Sequence, residues 1–225
     1  MRKHLLRIIT FISIILYKRR IIQNSIYVLN QTKIIGNCFL RINDSYMSRL
    51  KILLEGENNQ IINKGSTLIR GELRVHGNNN TILIKQDCNL ANIRIVVRGN
   101  NCRVVIGNDV TCGSAYIACM GVANEVIIGD DCMLAENIDI WATDSHAIYD
   151  YNQNIINPSK SIYIGNHVWI GKGSSILKGV TIGDGAIIGM KSMVTKDIAR
   201  NSLNVGAPTK TIKTDIHWKR EFITI

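Results

Sequence analysis

The chain has 225 residues, which is enough for one sizeable hydrophobic core or two modest ones. Its formal net charge of +10 favours an anionic partner such as a polyanion or a membrane surface. The six cysteines include no C-x-x-C pair and no histidine at ligand spacing, which argues against a metal site. We predict that these cysteines are reduced core residues and that the protein is cytoplasmic.

The first 22 residues carry an apolar stretch with a basic cluster on either side. This stretch has only about ten residues, whereas a bilayer span needs about twenty. Lys18, Arg19 and Arg20 stand where a signal peptide would have a small-residue cleavage site. We therefore predict a helix over residues 1–22 with two alternative roles. It caps the open end of a solenoid, or it anchors the protein peripherally on the anionic inner face of a membrane.

A long repeat fills the N-terminal half of the chain. Similar stretches begin at Gly77, Gly99 and Gly121, 22 positions apart, and each has a polar turn followed by an aliphatic strand. A fainter copy begins at Glu57. Because asparagine tolerates left-handed backbone conformations, the Asn-rich tracts are predicted to form the corners of a β-solenoid. Against the 18 residues of a regular coil, we expect about four extra residues at one corner of each turn.

Between Ile140 and Ile164 the repeat stops. The interruption contains Asp144, His146 and Tyr149. Residues expelled from a rigid scaffold commonly carry function, so we predict an extruded loop at about 143–160 that holds the site.

The segment 164–198 is the most regular part of the sequence. An aliphatic residue recurs every six positions, at Ile164, Ile170, Ile176, Ile182, Ile188 and Val194. The fifth place of each block is small or β-branched. Neither a helical period of 3.6 nor strict strand alternation gives this pattern, whereas hexads with glycine-rich corners indicate a parallel β-helix. Three hexads would close one triangular coil, and the whole of 23–205 is predicted to be one such domain.

Three stretches carry a family resemblance. They are TDSHAIYD (143–150), INPSKSIYIGNHVWIGKGSSILKGVTIGDGAIIGMKSMVTKDI (156–198) and GAPTKTIK (206–213). Together they resemble the hexapeptide-repeat acyltransferases of left-handed β-helix fold, especially the branch that O-acetylates bacterial surface polysaccharides such as capsule and lipopolysaccharide. The resemblance implies an all-β, left-handed parallel β-helix, acetyl-CoA as acyl donor and a homotrimer with active sites between subunits.

The resemblance also implies roles for individual residues. His146 matches the catalytic histidine, and such chemistry needs a neutral imidazole to take the proton of a sugar hydroxyl. Trp169 matches a residue that flanks the bound substrates, and Tyr149 is predicted to contact substrate as well. From position alone, Asp144 either orients this imidazole or caps the turn, and Asn137, one strand before the loop, is a candidate for stabilising the oxyanion. The matches for coenzyme A are Trp169, Gly171, Lys172, Gly189, Thr195, Lys196, Lys210 and Lys213, with 206–225 as a coenzyme-contacting tail.

Other functions remain as alternatives. The same mechanism could serve a small acceptor, such as an antibiotic, a free sugar or a nucleotide sugar, or the β-helix could be a non-catalytic module. A zinc carbonic anhydrase on this scaffold would need a second histidine five residues after His167, where the chain has Lys172. We expect no metal cofactor and no nucleic-acid partner.

Overall fold

A computed structural model of the chain describes residues 20–223 and shows a parallel β-solenoid with no helix in that range. Two sheets, of eight and fifteen strands, make up the three faces of a triangular prism, because the larger sheet folds over a corner. It is a left-handed β-helix, as predicted.

The first face is the eight-stranded sheet, in which every neighbouring pair is parallel. Its strands are β1 (Arg20–Gln23), β4 (Phe39–Asn43), β6 (Gln60–Lys64), β8 (Thr81–Ile84), β10 (Arg103–Ile106), β13 (Glu125–Ile128), β16 (Ile162–Ile164) and β19 (Thr181–Ile182). Because β1 begins at Arg20, the helix expected over residues 1–22 cannot include its last three residues, and the solenoid starts before residue 23. The rest of that predicted helix lies outside the described residues.

The second and third faces share long strands in the first half of the chain. These strands are β5 (Tyr46–Glu57), β7 (Thr67–Asn78) and β9 (Asn89–Asn100). Each turns the corner at a residue with positive φ, namely Arg49, Arg70 and Asn92. The second face also contains β2 (Ile26–Val28), β11 (Thr111–Cys112), β14 (Met133–Leu134), β17 (Trp169–Ile170), β20 (Ile187–Ile188) and β22 (Leu203–Val205). The third contains β3 (Gln31–Ile35), β12 (Ala115–Val122), β15 (Ile138–Trp141), β18 (Ser175–Leu177) and β21 (Met193–Val194).

The extra residues of the early coils lie in the strands of the third face and not at a loose corner. β12 has eight residues on this face, whereas β18, in a regular coil, has three. The prediction of a wider corner was therefore wrong. At the end of these long strands Gly77 stacks on Gly99, and a Cβ on Gly77 would lie 1.9 Å from the Gly99 carbonyl oxygen. Close backbone contact between coils explains why glycine recurs with the repeat.

The core is a stack of single side chains along the axis. Leu40, Ile61, Ile82, Val104, Val126 and Ile162 form one column of fully buried residues on the first face. The aliphatic positions of the hexads are all buried too, which confirms their predicted direction. All six cysteines are buried and free. Asn59 and Asn80 are also fully buried, and Asn80 satisfies its amide by donating to the Gly99 carbonyl at 2.7 Å.

Candidate active site

The loop at 143–160 leaves the solenoid where it was predicted. β15 ends at Trp141 and β16 begins at Ile162, with only an isolated bridge between Tyr149 and Ile155 in the interval. Register shows that the loop is an insertion into an otherwise regular coil. Asp139 pairs with Ser175, 36 positions later, whereas Ser175 pairs with Met193 after 18.

Hydrogen bonds close the base of the loop. The Lys160 amide donates to the Ala142 carbonyl at 3.2 Å. The buried Thr143 hydroxyl lies 3.0 Å from the Ser159 hydroxyl and accepts the Ser145 amide at 3.0 Å. The two ends of the loop are therefore hydrogen-bonded to each other, and residues 144–158 project from the solenoid between them.

Asn157 organises the interior of the loop through three hydrogen bonds. Its Nδ2 donates to the Asp144 carboxylate and to the His146 carbonyl, both at 2.9 Å. Its Oδ1 accepts the Ile148 amide at 2.6 Å. A single side chain thus fixes the backbone on both sides of His146. Sequence analysis did not identify this residue, although its place before Pro158 in the family-like stretch was a usable signal.

Lys178 attaches the loop to the solenoid. Its Nζ donates to the Asp144 carboxylate at 2.5 Å and to the Asn157 carbonyl at 2.9 Å. The lysine side chain is 19 % exposed, so this contact is partly shielded from water. Hydrogen bonds from Lys178 and then Asn157 hold the pKa of Asp144 below its usual value, although partial burial opposes them. Sequence analysis missed this lysine because it resembles any solvated corner lysine of the hexads.

His146 is exposed at the turn that these contacts define. Its amide donates to the Asp144 carbonyl at 2.8 Å, after Ser145 has taken a left-handed conformation with φ of 65°. No side chain within residues 20–223 makes a hydrogen bond to its imidazole. Of the two roles foreseen for Asp144, the contacts favour holding the turn, because its carboxylate bonds Lys178 and Asn157 and not the imidazole.

The tip of the loop is apolar and exposed. Tyr149 is 54 % exposed, and the other exposed apolar side chains are Ile148, Tyr151, Ile155 and Ile156. Asp150 braces the tip by accepting the backbone amides of Asn152 and Asn154. The hydrogen bond from Asn154 is the main cause that lowers the pKa of Asp150. Tyr149 therefore lies on an exposed, hydrogen-bonded hairpin outside the solenoid.

The remaining predicted substrate residues lie elsewhere on the prism. Trp169 projects from the second face and is 37 % exposed. Asn137 lies at the corner between the second and third faces with φ of 56°, where its side-chain Oδ1 accepts a hydrogen bond from the Ser114 hydroxyl at 3.3 Å. The loop with His146 leaves at the opposite corner, between the third and first faces. One subunit thus does not bring His146 and Trp169 together.

The residues matched to coenzyme A follow the C-terminal coils. Lys172 pairs with Glu136 at 2.6 Å, and this bond lowers the pKa of the carboxyl. Gly171 is buried, and a Cβ there would lie 2.7 Å from the Met190 nitrogen. A Cβ on Gly189 would similarly meet Val205 Cγ1 at 2.7 Å. These glycines are therefore required for the contact between coils, whatever else they do.

The exposed matches lie at the C-terminal end of the prism. Thr195 and Lys196 follow β21 directly, at the turn that leads to the last coil. After a turn at 206–209, β23 (Lys210–Lys213) runs antiparallel to β22 with all four residues exposed. Lys210 and Lys213 thus form a basic edge that is open to an anionic ligand. No cluster of three side chains suited to a metal ion occurs among residues 20–223.

Comparison with known proteins supports the same family. The model for the bacterial transferase hexapeptide (six repeats) matches residues 161–196. The polysialic acid O-acetyltransferase of Escherichia coli O1:K1 / APEC is 36% identical over 90 residues, which is 40% of this chain and 29% of that protein. The chain thus spans less than a third of this curated relative.

Two solved structures match over most of their length. The crystal structure of the polySia-specific acetyltransferase NeuO is 30% identical, with a TM-score of 0.68 over 91% of this chain and 90% of that one. The polysialic acid O-acetyltransferase OatWY is 28% identical, with a TM-score of 0.70 over 88% and 93%. The chain therefore belongs to the hexapeptide-repeat acetyltransferases of left-handed β-helix fold, and the resemblance to their polysaccharide O-acetylating branch extends over nine-tenths of its length.

Proposed function

We propose that this protein is an acetyl-CoA-dependent O-acetyltransferase that modifies a sugar hydroxyl of an acidic bacterial surface polysaccharide. The observation that carries the proposal is His146, an exposed histidine in a turn that Asn157 and Lys178 hold, on the long loop between β15 and β16 of a family scaffold.

The reaction follows from the chemistry of the imidazole. Neutral His146 takes the proton of the hydroxyl while the oxygen attacks the thioester carbonyl of acetyl-CoA. The tetrahedral intermediate then collapses, and the protonated histidine returns the proton to the departing thiolate. General-base help of this kind is worth about 10²–10⁴ in rate. All six cysteines are buried, so none is placed to form an acyl-enzyme, and direct transfer is the simpler route.

The separation of His146 from Trp169 supports a site built by two subunits. His146 lies at the corner between the third and first faces, whereas Trp169 projects from the opposite, second face. A neighbouring copy in a homotrimer would place its Trp169 and Asn137 opposite this loop. The exposed apolar tip around Tyr149 is suited to the same contact.

Mixed trimers test this arrangement. His146→Ala and Trp169→Ala are each expected to be nearly inactive alone. Co-expressed in equal amounts, they restore roughly a quarter of the sites, because about three trimers in four are then mixed and one of the three interfaces in each mixed trimer joins an intact histidine to an intact tryptophan. Failure of co-expressed variants to complement, with light scattering that shows a trimer, would place each site within a single chain.

The donor is assigned to the C-terminal end of the prism. Lys210 and Lys213 offer two exposed ammonium groups on β23 for the phosphates of coenzyme A. Thr195 and Lys196 lie on the adjacent turn, and Lys172 is available once it leaves Glu136. The matched test is Lys210→Gln with Lys213→Gln, which should raise KM for acetyl-CoA much more than KM for the shorter donor acetyl-pantetheine.

Charge on the third face supports an acidic acceptor. The Arg94 guanidinium lies 4.5 Å from the centre of the Tyr116 ring, and Tyr116 meets Trp141 edge to face at 5.1 Å. Trp141 is the last residue of β15 before the loop that carries His146. Further from the loop a depression on the same face is lined by Lys33, Lys51, Glu72 and Arg74, among others. Aromatic and cationic groups on one face suit an acidic sugar polymer.

An acceptor panel tests the substrate class. Purified protein and labelled acetyl-CoA are offered an α-linked sialic acid polymer, its short oligomers, neutral glycans and chloramphenicol. Label in the acidic polymer supports the proposal, and Lys51→Gln with Arg74→Gln should raise KM for the polymer but not for short oligomers. Label confined to small acceptors or neutral glycans would contradict it.

Location is also proposed from sequence. We place the protein in the cytoplasm, with residues 1–19 as a peripheral contact on the inner membrane face. Within residues 20–223 no helix is long and apolar enough to span a bilayer. The truncated chain 20–225 should lose co-sedimentation with anionic liposomes but keep acetyl transfer to soluble acceptors, and unchanged sedimentation would refute the contact.

A further inference from the structure

The C-terminal tail returns across the solenoid after β23. The Ile216 amide donates to the Asn201 carbonyl at 3.1 Å, which brings the tail back to the corner between the first and second faces. Trp218 then packs flat on His167, with ring centres 4.0 Å apart and planes within 9°. Its indole nitrogen donates to the His167 carbonyl at 2.9 Å, and only 6 % of the residue is exposed. The buried Trp218 thus holds the tail against the solenoid, and we call this arrangement the closed tail.

The contacts of His167 determine its protonation. Its Nδ1 lies 2.6 Å from the Asp131 carboxylate and its Nε2 lies 2.9 Å from the Trp218 carbonyl oxygen. A backbone carbonyl can only accept, and so can an ionised carboxylate. Both ring nitrogens must therefore donate, so the closed tail requires the doubly protonated, cationic imidazole.

Other charges nearby favour an ionised Asp131. Arg220, two residues after Trp218, donates its Nε to Asp131 at 2.8 Å and holds the Thr111 hydroxyl at 2.9 Å. Partial burial raises the pKa of Asp131, but the hydrogen bonds and charges of Arg220 and His167 outweigh it and lower the pKa overall. The carboxylate therefore stays an acceptor for His167 through the neutral range.

The groups around His167 from each adjoining element are few. The preceding coil supplies Asp131, and the tail supplies Arg220, which also lies 6.0 Å from the Trp218 ring. The following coil has Gly185 at the equivalent corner position, and its neighbour Asp184 accepts the Asn166 amide at 2.6 Å. The exposed His217 and Lys219 flank Trp218 in the tail. Because Asp131 is the carboxylate that bonds the imidazole, the pairing of Asp131 with the His167 proton controls the contact.

We propose that His167 and Trp218 position Trp169 through a pH-dependent clasp: the tail is closed while His167 carries both protons and opens when it loses one. Trp218 lies 5.9 Å from Trp169 at a tilt of 48°, so the closed tail supports one side of the exposed indole. Loss of a proton leaves a nitrogen lone pair facing an oxygen, which breaks one of the two hydrogen bonds and repels the tail. Because the closed state holds one proton more than the open state, the closed fraction falls as pH rises.

The clasp can be tested without substrate on the full-length protein labelled with ¹⁵N-tryptophan. The measured quantity is solvent exchange of the Trp218 indole N–H relative to that of Trp169, with Trp218→Phe to assign the signal. In the unaltered chain this ratio should be low in mild acid and rise severalfold above neutrality. His167→Gln should keep the ratio high at every pH, while His217→Gln, a matched change in the same tail, should follow the unaltered chain.

A second variant distinguishes the proposed clasp from a folding defect in His167→Gln. Asp131→Asn keeps an acceptor oxygen but removes the charge that stabilises the imidazolium, so the opening transition should move to lower pH. A ratio that does not change with pH in the unaltered chain, or a transition that survives in His167→Gln, would overturn the clasp.

The link to Trp169 rests on the proposed function and is tested separately. KM for substrates should rise with pH in step with tail opening, and this rise should disappear in His167→Gln but not in His217→Gln. If the tail opens but KM does not follow, the positioning role is wrong. If no acetyl transfer is found at any pH, the proposed function fails while the exchange result for the clasp stands.

Discussion

The sharpest consequence of the loop geometry concerns Asn157. Replacing it with alanine removes all three of its hydrogen bonds, to Asp144, His146 and Ile148, at 2.6–2.9 Å. Hydrogen bonds contribute about 0.5–1.5 kcal/mol each, and water can replace these in part because the residue is only half-buried. We therefore expect the loop to lose about 1–2 kcal/mol of local order.

The effect on catalysis should exceed the effect on stability. A displacement of a catalytic group by about 1 Å can cost roughly 10²-fold in rate, so Asn157→Ala should lower kcat/KM by about 10–100-fold. The melting temperature should barely change, because the loop lies outside the axial core. Steady-state acetyl transfer and thermal unfolding measure the two quantities.

A matched control lies in the same loop. Asn152 is exposed, and only its backbone amide is bonded, to Asp150. Asn152→Ala should therefore keep full activity. If Asn157→Ala retained the activity of this control, the account in which Asn157 fixes the His146 turn would be refuted.

Three further outcomes follow from the contacts. Because the pKa of Asp144 is depressed in the folded chain, its ion pair with Lys178 stabilises the loop at pH values above the ordinary carboxyl pKa and is lost as the pH falls through the folded pKa. Amide exchange in 144–157 should therefore rise in that acidic range, and an exchange rate that shows no such rise would contradict the prediction. Gly171→Ala should destabilise the solenoid by about 1–3 kcal/mol in chemical unfolding, since its Cβ would meet the backbone of the next coil at 2.7 Å. Burial raises the pKa of Cys112 and Cys132 to about 12, so both should resist iodoacetamide until the chain unfolds, whereas labelling of the native protein would show that the coils open.

The repeating features of the solenoid could be predicted from the sequence. The hexads placed Ile164 and its equivalents in the core because the aliphatic residue of each short strand points to the axis of the solenoid. The Asn-rich tracts became corners, with Asn58, Asn79 and Asn101 all at φ of 55–58°. The extra residues of the early coils were placed wrongly, because a period of 22 does not show whether the strand or the turn is longer than in a coil of 18.

Contacts across the fold were not visible in the sequence. Lys178 reaches Asp144 from 34 positions away, and Arg220 reaches Asp131 from 89, so neither leaves a local pattern. His167 and Trp218, 51 positions apart, were likewise separate residues in the sequence. The catalytic loop, by contrast, was found because an insertion of any kind interrupts a strict register.

The central claim is that His146 transfers the proton of the acceptor hydroxyl. Its most direct test is the rate of acetyl transfer from labelled acetyl-CoA to an acidic polysaccharide by His146→Ala, with the fold checked by circular dichroism and with His76→Ala as the control histidine on the third face. We predict that kcat falls by about 10²–10⁴ in His146→Ala and is unchanged in His76→Ala. Equal rates in the two variants would contradict the account.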